Sequence, residues 1–259
     1  MPDAFPTIPI SALIEFLIGC AAIVAAVLYV RGRVKAHRIT RVLDRKPCTT
    51  TFVNVKHLED RPYFLFFDTE TTGLPKDFNA PAAADDNWPR LVQLSWIVTT
   101  SDGQTVSTED HIIRPEGFSI PRKAARIHGI TTKVALSRGE PLKEVLEKFA
   151  KDCRRCCLCV GHNVQFDKKV AGSEFLRAGM RDSIVFLPAA DTMKSSVFWC
   201  RIPKRSGKYK WPRLQELHKK LFGKKFDDAH NSLCDVQATE RCFWELKRHG
   251  VIQILGDYD

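Results

Sequence analysis

Residues 63–74 read YFLFFDTETTGL, an apolar run that stops abruptly at two acids. Its length and its aromatic and aliphatic composition predict a buried β-strand. Side chains alternate between the two faces of a strand, so Asp68 and Glu70, two residues apart, point the same way. They also fall at its C-terminal end, where α/β sheets collect their ligands. Two acids so close repel each other unless a cation lies between them. Taken alone, the pair reads equally as solvent-facing acids at a strand end or as half of a metal site.

Working outward, a polar, proline-bounded loop (79–89, NAPAAADDNWP) leads into LVQLSWIVTT (91–100) and the stretch around TVSTEDHIIRP (105–115). These read as two further strands separated by Asp102-Gly103, a hairpin turn signal, so the first three strands form an antiparallel meander. Helical periodicity follows in PRKAARIH and in PLKEVLEKFAKDC, where Leu142, Val145, Leu146 and Phe149 share a face. A short strand, CLCVGHN, precedes the helix FDKKVAGSEFLRAG, and two more helices are read in WPRLQELHKKLFG and SLCDVQATERCFWELKRHG. Strands first, then alternating helix and strand, predict an α/β fold with a mixed central sheet flanked by helices.

Charge is unevenly spread. Of the net +10, residues 31–46 carry +6 and residues 201–225 carry +9, which leaves the remainder at −5. The first cluster follows ISALIEFLIGCAAIVAAVLYV (10–30), whose single charge is Glu15. A helix of that length reaches about 31 Å, close to the hydrocarbon thickness of a bilayer. One transmembrane helix is therefore expected. The basic flank places the N-terminus outside and the rest in the cytoplasm. A secretory signal would carry a basic n-region that MPDAFPTIP lacks, and the apolar run continues past the lipoprotein-like Leu17-Ile18-Gly19-Cys20. The second basic cluster is interleaved with Tyr209 and Trp211 and suits a groove following a phosphate backbone, against the plainer reading of a solvated face with a core tryptophan.

The expected organisation is a short tail (1–9), the membrane helix (10–30), a basic juxtamembrane linker (31–61) with room for a peripheral strand, one catalytic domain (62–250) and a C-terminal tail (251–259). The nine cysteines are odd in number, and a disulfide framework is not expected in a domain of this size. Cys153 and Cys156 have C-x-x-C spacing, but no second pair accompanies them to complete a zinc site. Buried reduced thiols are the simpler reading.

Three more residues acquire meaning only together. Asp167 falls in the first turn of a helix, where acids complement the helix dipole. Asp235 closes a Ser232-Leu233-Cys234-Asp235 sequence of capping-box form, and His230 alone is a loop histidine. As a set, four carboxylates from a strand end and two helix starts match the needs of a two-metal phosphoryl-transfer site. His230 then stands where a group titrating near neutrality would take a proton from water.

FFDTETTGLP, HNVQFD and AHNSLCD resemble, in order, the three motifs of the DEDDh exonucleases, the family that contains the proofreading epsilon subunit of bacterial DNA polymerase III. PRLVQLSW, ARIHGIT and the stretch from Lys210 to Leu246 extend the resemblance over residues 62–250. It implies an RNase H-like fold and two divalent cations, Mg²⁺ with Mn²⁺ able to substitute. It further implies hydrolysis from a 3′ end of DNA to release nucleoside 5′-monophosphates. On this resemblance Asp68, Glu70, Asp167 and Asp235 are the metal ligands and His230 the general base. The backbone around Thr71 and Thr72 meets the terminal nucleotide, Leu74 packs on the last base, and Asn163 and Phe166 shape the pocket, while His128 and Asp191 are structural.

Nucleic acid is thus the expected partner, DNA ahead of RNA, together with the membrane through residues 10–30. An RNA or short-oligonucleotide exonuclease and a non-catalytic membrane-bound tether are the alternatives. A stable replicase association is not expected, because the chain ends at Asp259, soon after its last helix, and an anchored enzyme is poorly placed to travel with a fork.

Overall fold

The computed structural model describes residues 49–256 apart from 57, 58, 85 and 228. The expected membrane helix and basic collar lie outside the described residues, among which no helix is long and apolar enough to cross a membrane.

The decisive stretch is a nine-residue strand, β2 (Tyr63–Thr71). It pairs antiparallel with β3 (Leu91–Thr100), which pairs antiparallel with β4 (Thr105–Ile112). The expected turn joins the last two: Gly103, at φ 99°, donates its N–H to the Thr100 carbonyl. On the other side of β2, β5 (Cys156–Gly161) and β6 (Ala189–Asp191) add in parallel, giving the order β4-β3-β2-β5-β6. The mixed sheet read from the sequence is therefore present, with β2 at its centre.

Alternation along β2 assigns its side chains to two layers. Leu65 and Phe67 face a core shared with Val145, Leu146 and Phe149 of one helix (Leu142–Arg155) and Val170, Ala171 and Phe175 of another, Val164–Arg177. Phe64 and Phe66 face the opposite way, 6.1 and 5.3 Å between ring centroids from Phe243 in the long helix Ser232–Arg248. Each fully buried side chain of this size contributes about 1.5–3 kcal/mol through removal from water. The strand is thus held from both faces, and its C-terminal end emerges where the helices Val164–Arg177 and Ser232–Arg248 begin.

Numbered in chain order, the helices are α1 (Arg122–His128), α2 (Thr132–Arg138), α3 (Leu142–Arg155), α4 (Val164–Arg177), α5 (Thr192–Ser195), α6 (Val197–Cys200), α7 (Leu214–Phe222) and α8 (Ser232–Arg248). α2, α5 and α6 and strand β6 are additions to the sequence reading. α5, α6 and β6 are only three or four residues long and α2 buries Ala135 alone, so none shows a hydrophobic period.

Two segments read as lying outside the domain pair with each other. β1 (Thr51–Val55), within the linker 31–61, runs parallel to β7 (Ile252–Gly256), within the tail 251–259. Thr49–Asp259 accordingly forms one compact unit. Parallel pairing across some 200 residues leaves no local mark in either five-residue segment.

Cys153, Cys156, Cys157 and Cys159 are free thiols and all buried. Burial raises all four thiols, with Cys156 and Cys159 pushed up to about 12, so they remain protonated and inert.

Candidate active site

β2 delivers Asp68 and Glu70 on the face shared with Phe64 and Phe66, the α8 side of the sheet. The start of α8 meets them there. Asn231 caps the helix, its side chain accepting from the Cys234 N–H at 3.3 Å. This corrects the capping-box reading, because the buried Ser232 hydroxyl instead donates to the Asp68 carbonyl at 2.8 Å. Asp235 accepts from the His230 N–H through Oδ2 and also lies close to the strand's acids. Asp68, Glu70 and Asp235, all half-buried, bring a carboxylate oxygen each within 4.8 Å of one another.

Asp167 arrives from the other layer. Gly161 ends β5 in a turn so close that a Cβ there would sit 3.0 Å from the Val164 Cβ, and Asn163 adopts a left-handed φ of 76°. The Asn163 N–H donates to Asp191 Oδ1 at 3.1 Å, and that same oxygen caps α5 through Met193 and Lys194, so Asp191 ties the starts of α4 and α5 together. α4 then places Asp167 in its first turn, where Oδ1 accepts from the main-chain N–H and hydroxyl of Thr69 at 3.1 and 2.7 Å. Thr69 lies between Asp68 and Glu70 and points to the opposite face, so β2 gathers acids from both layers at once.

All four acids hold their protons more tightly than ordinary carboxyls. Burial, reinforced by Asp167, Asp235 and Glu70, holds the Asp68 carboxyl well above the usual range. Burial, with Asp235 and Asp167, raises Glu70 to about 8. Asp167 is raised to about 7 by burial despite the Thr69 hydrogen bonds, and Asp235 to about 6 by burial against the opposing pull of His230. Among the described residues no lysine or arginine is ion-paired with any of the four. Converging carboxylates of raised pKa fit a hard divalent ion, which takes oxygen ligands.

The remaining expected residues divide. His230, at φ 71°, donates its main-chain N–H to Asp235 Oδ2 at 3.1 Å while its side chain is exposed. Thr71 spends its hydroxyl on the Gly73 carbonyl at 2.7 Å. Thr72 is bound at both ends to Arg90: its N–H donates to the Arg90 carbonyl, and its hydroxyl accepts from the Arg90 N–H. Leu74 is 75% exposed just beyond. Phe166 packs beside Phe78 and Trp88, at centroid distances of 6.4 and 6.2 Å. The buried His128 accepts from the Ile130 N–H through Nδ1 at 3.1 Å, with the Thr71 main chain beside its ring.

The supporting roles of three residues are not legible in the sequence. Thr69 and Ser232 orient the acids. Glu174, almost wholly buried in α4, receives Arg90 Nε at 2.8 Å, the Leu91 N–H at 2.9 Å and Arg177 at 3.2 Å. Through Arg90 it fixes the loop holding Thr72. A glutamate on the inner face of α4 is the signal that was available.

Comparison with known proteins places these elements. The chain is 29% identical over 194 residues to the PolC-type DNA polymerase III of Pediococcus pentosaceus, covering 73% of this chain and 12% of that one. It is 34% identical over 120 residues to a DNA polymerase III subunit epsilon-like protein of Rhodobacter capsulatus, covering 46% and 14%. It thus spans a small fraction of either relative. Among solved structures, E. coli exonuclease I in complex with a dT13 oligonucleotide superposes with a TM-score of 0.58 at 24% identity, over 71% of this chain and 41% of that one. That likeness establishes the fold, an α/β exonuclease fold of RNase H-like type. The exonuclease family profile (RNase_T) matches residues 65–243, from within β2 to within α8. Every acid of the cluster lies in that span, and the chain belongs to the exonuclease family.

Proposed function

We propose that this chain is a metal-dependent 3′-to-5′ exonuclease that hydrolyses DNA and releases nucleoside 5′-monophosphates. The observation that carries the reading is the meeting of Asp68, Glu70 and Asp235 oxygens within 4.8 Å, with Asp167 held beside them by Thr69. Two divalent cations bound by these four carboxylates, Mg²⁺ in the first instance, would supply the charge that activates water and stabilises the leaving oxygen.

The chain's own residues do the rest. Ser232 and Thr69 fix the acids before substrate arrives, so little reorganisation remains at the reacting phosphate. His230, exposed beside Asp235, takes the proton of the attacking water. Leu74, exposed after the Thr71-Thr72 turn, packs on the terminal base, and Asn163 and Phe166 close the pocket from the α4 side.

The test is release of a 3′ label from a single DNA strand by the full chain with Mg²⁺, set against Asp68→Ala. Equal release from both would sink the reading. A matched RNA strand in the same assay distinguishes a ribonuclease, since a contact or two at the 2′-hydroxyl suffices to choose between the sugars.

The tether belongs to the same proposal. Residues 10–30 anchor the domain at the cytoplasmic face, supported by the 21-residue apolar run and the +6 segment that follows it. Carbonate washing of membranes from cells expressing the full chain should leave the protein in the pellet, and its release would remove the anchor.

A further inference from the structure

The segment between α6 and α7 takes no part in holding the acids. Arg201 ends α6 in a left-handed conformation, φ 51°, and the chain folds back on itself. Pro203 bridges to Tyr209, the Lys204 N–H donates to the Lys208 carbonyl at 2.7 Å, and the Lys210 N–H donates to the Ile202 carbonyl at 2.9 Å. The hairpin's exit is fastened to the active-site turn. Nε2 of His162 bonds to the Pro212 carbonyl at 2.9 Å, and since a carbonyl only accepts, that nitrogen is the donor. His162 immediately precedes Asn163 and the helix start that delivers Asp167.

The hairpin's surface carries two kinds of group in excess of what its own fold requires. Trp211 is 61% exposed and Phe198 51%, so neither belongs to the core. The Phe198 ring meets that of Tyr209 edge-on at 6.1 Å, giving an aromatic ledge. Lys204, Arg205 and Lys208 are exposed and, among the described residues, ion-paired with no carboxylate, whereas Lys210 is tied to Glu216 at 2.6 Å. Aromatic faces stack on bases whatever their sequence, and free cations replace the counterions of phosphates.

We infer that this hairpin is the docking platform for the single strand leading away from the hydrolytic site, on the 5′ side of the terminal nucleotide. Phe198, Tyr209 and Trp211 receive bases, and Lys204, Arg205 and Lys208 track the phosphates. The inference rests on the nuclease reading above and adds where the rest of the strand lies.

The test is binding of a fluorescein-labelled oligothymidylate to the full chain carrying Asp68→Ala, followed by anisotropy over a range of KCl concentrations. Adding Tyr209→Ala with Trp211→Ala should weaken binding roughly tenfold or more. Adding Lys204→Gln, Arg205→Gln and Lys208→Gln should flatten the log–log salt dependence by about 2, near 0.7 for each phosphate left without its cation. Unchanged thermal midpoints show that the variants keep their fold. Affinity and slope equal to the parent's overturn the platform, as does a parent that binds no oligonucleotide. So do variants that keep the oligonucleotide but lose anionic phosphatidylserine vesicles, which reassigns the hairpin to a lipid surface. Strand hydrolysis by the native chain, assayed in parallel, judges the nuclease reading separately: hydrolysis with unaltered hairpin binding removes the platform alone.

Discussion

The hydroxyl of Ser232 donates to the main-chain carbonyl of Asp68 at 2.8 Å, joining the first residue of α8 to the C-terminal half of β2. Asp235, one helical turn on, is thereby set at a fixed distance from Asp68 and Glu70. Ser232→Ala removes that tie and leaves a buried carbonyl without this donor, at a cost of about 1–3 kcal/mol. Label release from a DNA strand is expected to need several-fold more Mg²⁺ for half-maximal rate. A titration curve identical to the native one would show that Asp235 is positioned without the bond.

Thr69 performs the matching task for Asp167, through one main-chain and one side-chain hydrogen bond to the same oxygen. Thr69→Val keeps the shape and the main-chain donor but deletes the 2.7 Å hydroxyl bond. The loss of a charge-assisted bond is worth about 1.5–3 kcal/mol. Because that bond lowers the Asp167 pKa, its loss makes the carboxyl harder to ionise. The variant is expected to bind Mg²⁺ more weakly, by calorimetry, and the deficit should narrow as pH rises.

Stability without metal should fall as pH rises. Glu70 is raised from its ordinary value to about 8 by burial, Asp235 and Asp167, so the folded chain retains a proton that the unfolded chain has released. Below the unfolded value, near pH 4.5, both states are protonated and nothing is lost. Between there and about pH 8 the unfolded state is progressively favoured, by at most roughly 1.4 kcal/mol for each pH unit climbed, and above pH 8 the loss is complete. Asp167, raised to about 7, acts in the same direction. Melting in EDTA should therefore decline from about pH 5 to about pH 8, and Mg²⁺ should raise the midpoint more at the upper end of that window than at the lower. A rise in metal-free stability across that window would contradict the arrangement of the acids.

The sequence exposed the site only as far as local chemistry reaches. An apolar run ending in Asp68 and Glu70 declares both a central strand and the face its acids share, since period-two alternation is a local rule. Asp167 and Asp235 were visible as helix-start acids, but what separates a ligand from an ordinary first-turn acid is the strand it meets. The bonds that join their helices to that strand span 98 and 164 residues. Ser232 illustrates the limit: its spacing to Asp235 mimics a capping box, while Asn231 takes the cap and frees Ser232 for the strand. The β1–β7 pairing was hidden for the same reason, its hydrogen bonds joining the two ends of the domain.

Glu174 makes a third long-range connection, and its loss should separate stability from chemistry. One of its oxygens collects Arg90 Nε, the Leu91 N–H and Arg177, with the side chain almost wholly buried. Removing one partner of a buried ion pair costs about 3–5 kcal/mol, because the remaining charge is left without compensation. Glu174→Ala should lower the melting midpoint by several degrees. Arg90 also holds Thr72 through its main-chain carbonyl and N–H, so the substitution loosens the turn proposed to meet the terminal nucleotide without touching an acid of the cluster. The expected signature is a raised KM with a nearly native kcat at temperatures where the variant remains folded. Glu174→Gln, which retains an acceptor for the Leu91 N–H but not the charge, should fall between. An Ala variant with lowered kcat and unaltered KM would instead place the effect of Glu174 on the acid cluster, by way of α4 and Asp167.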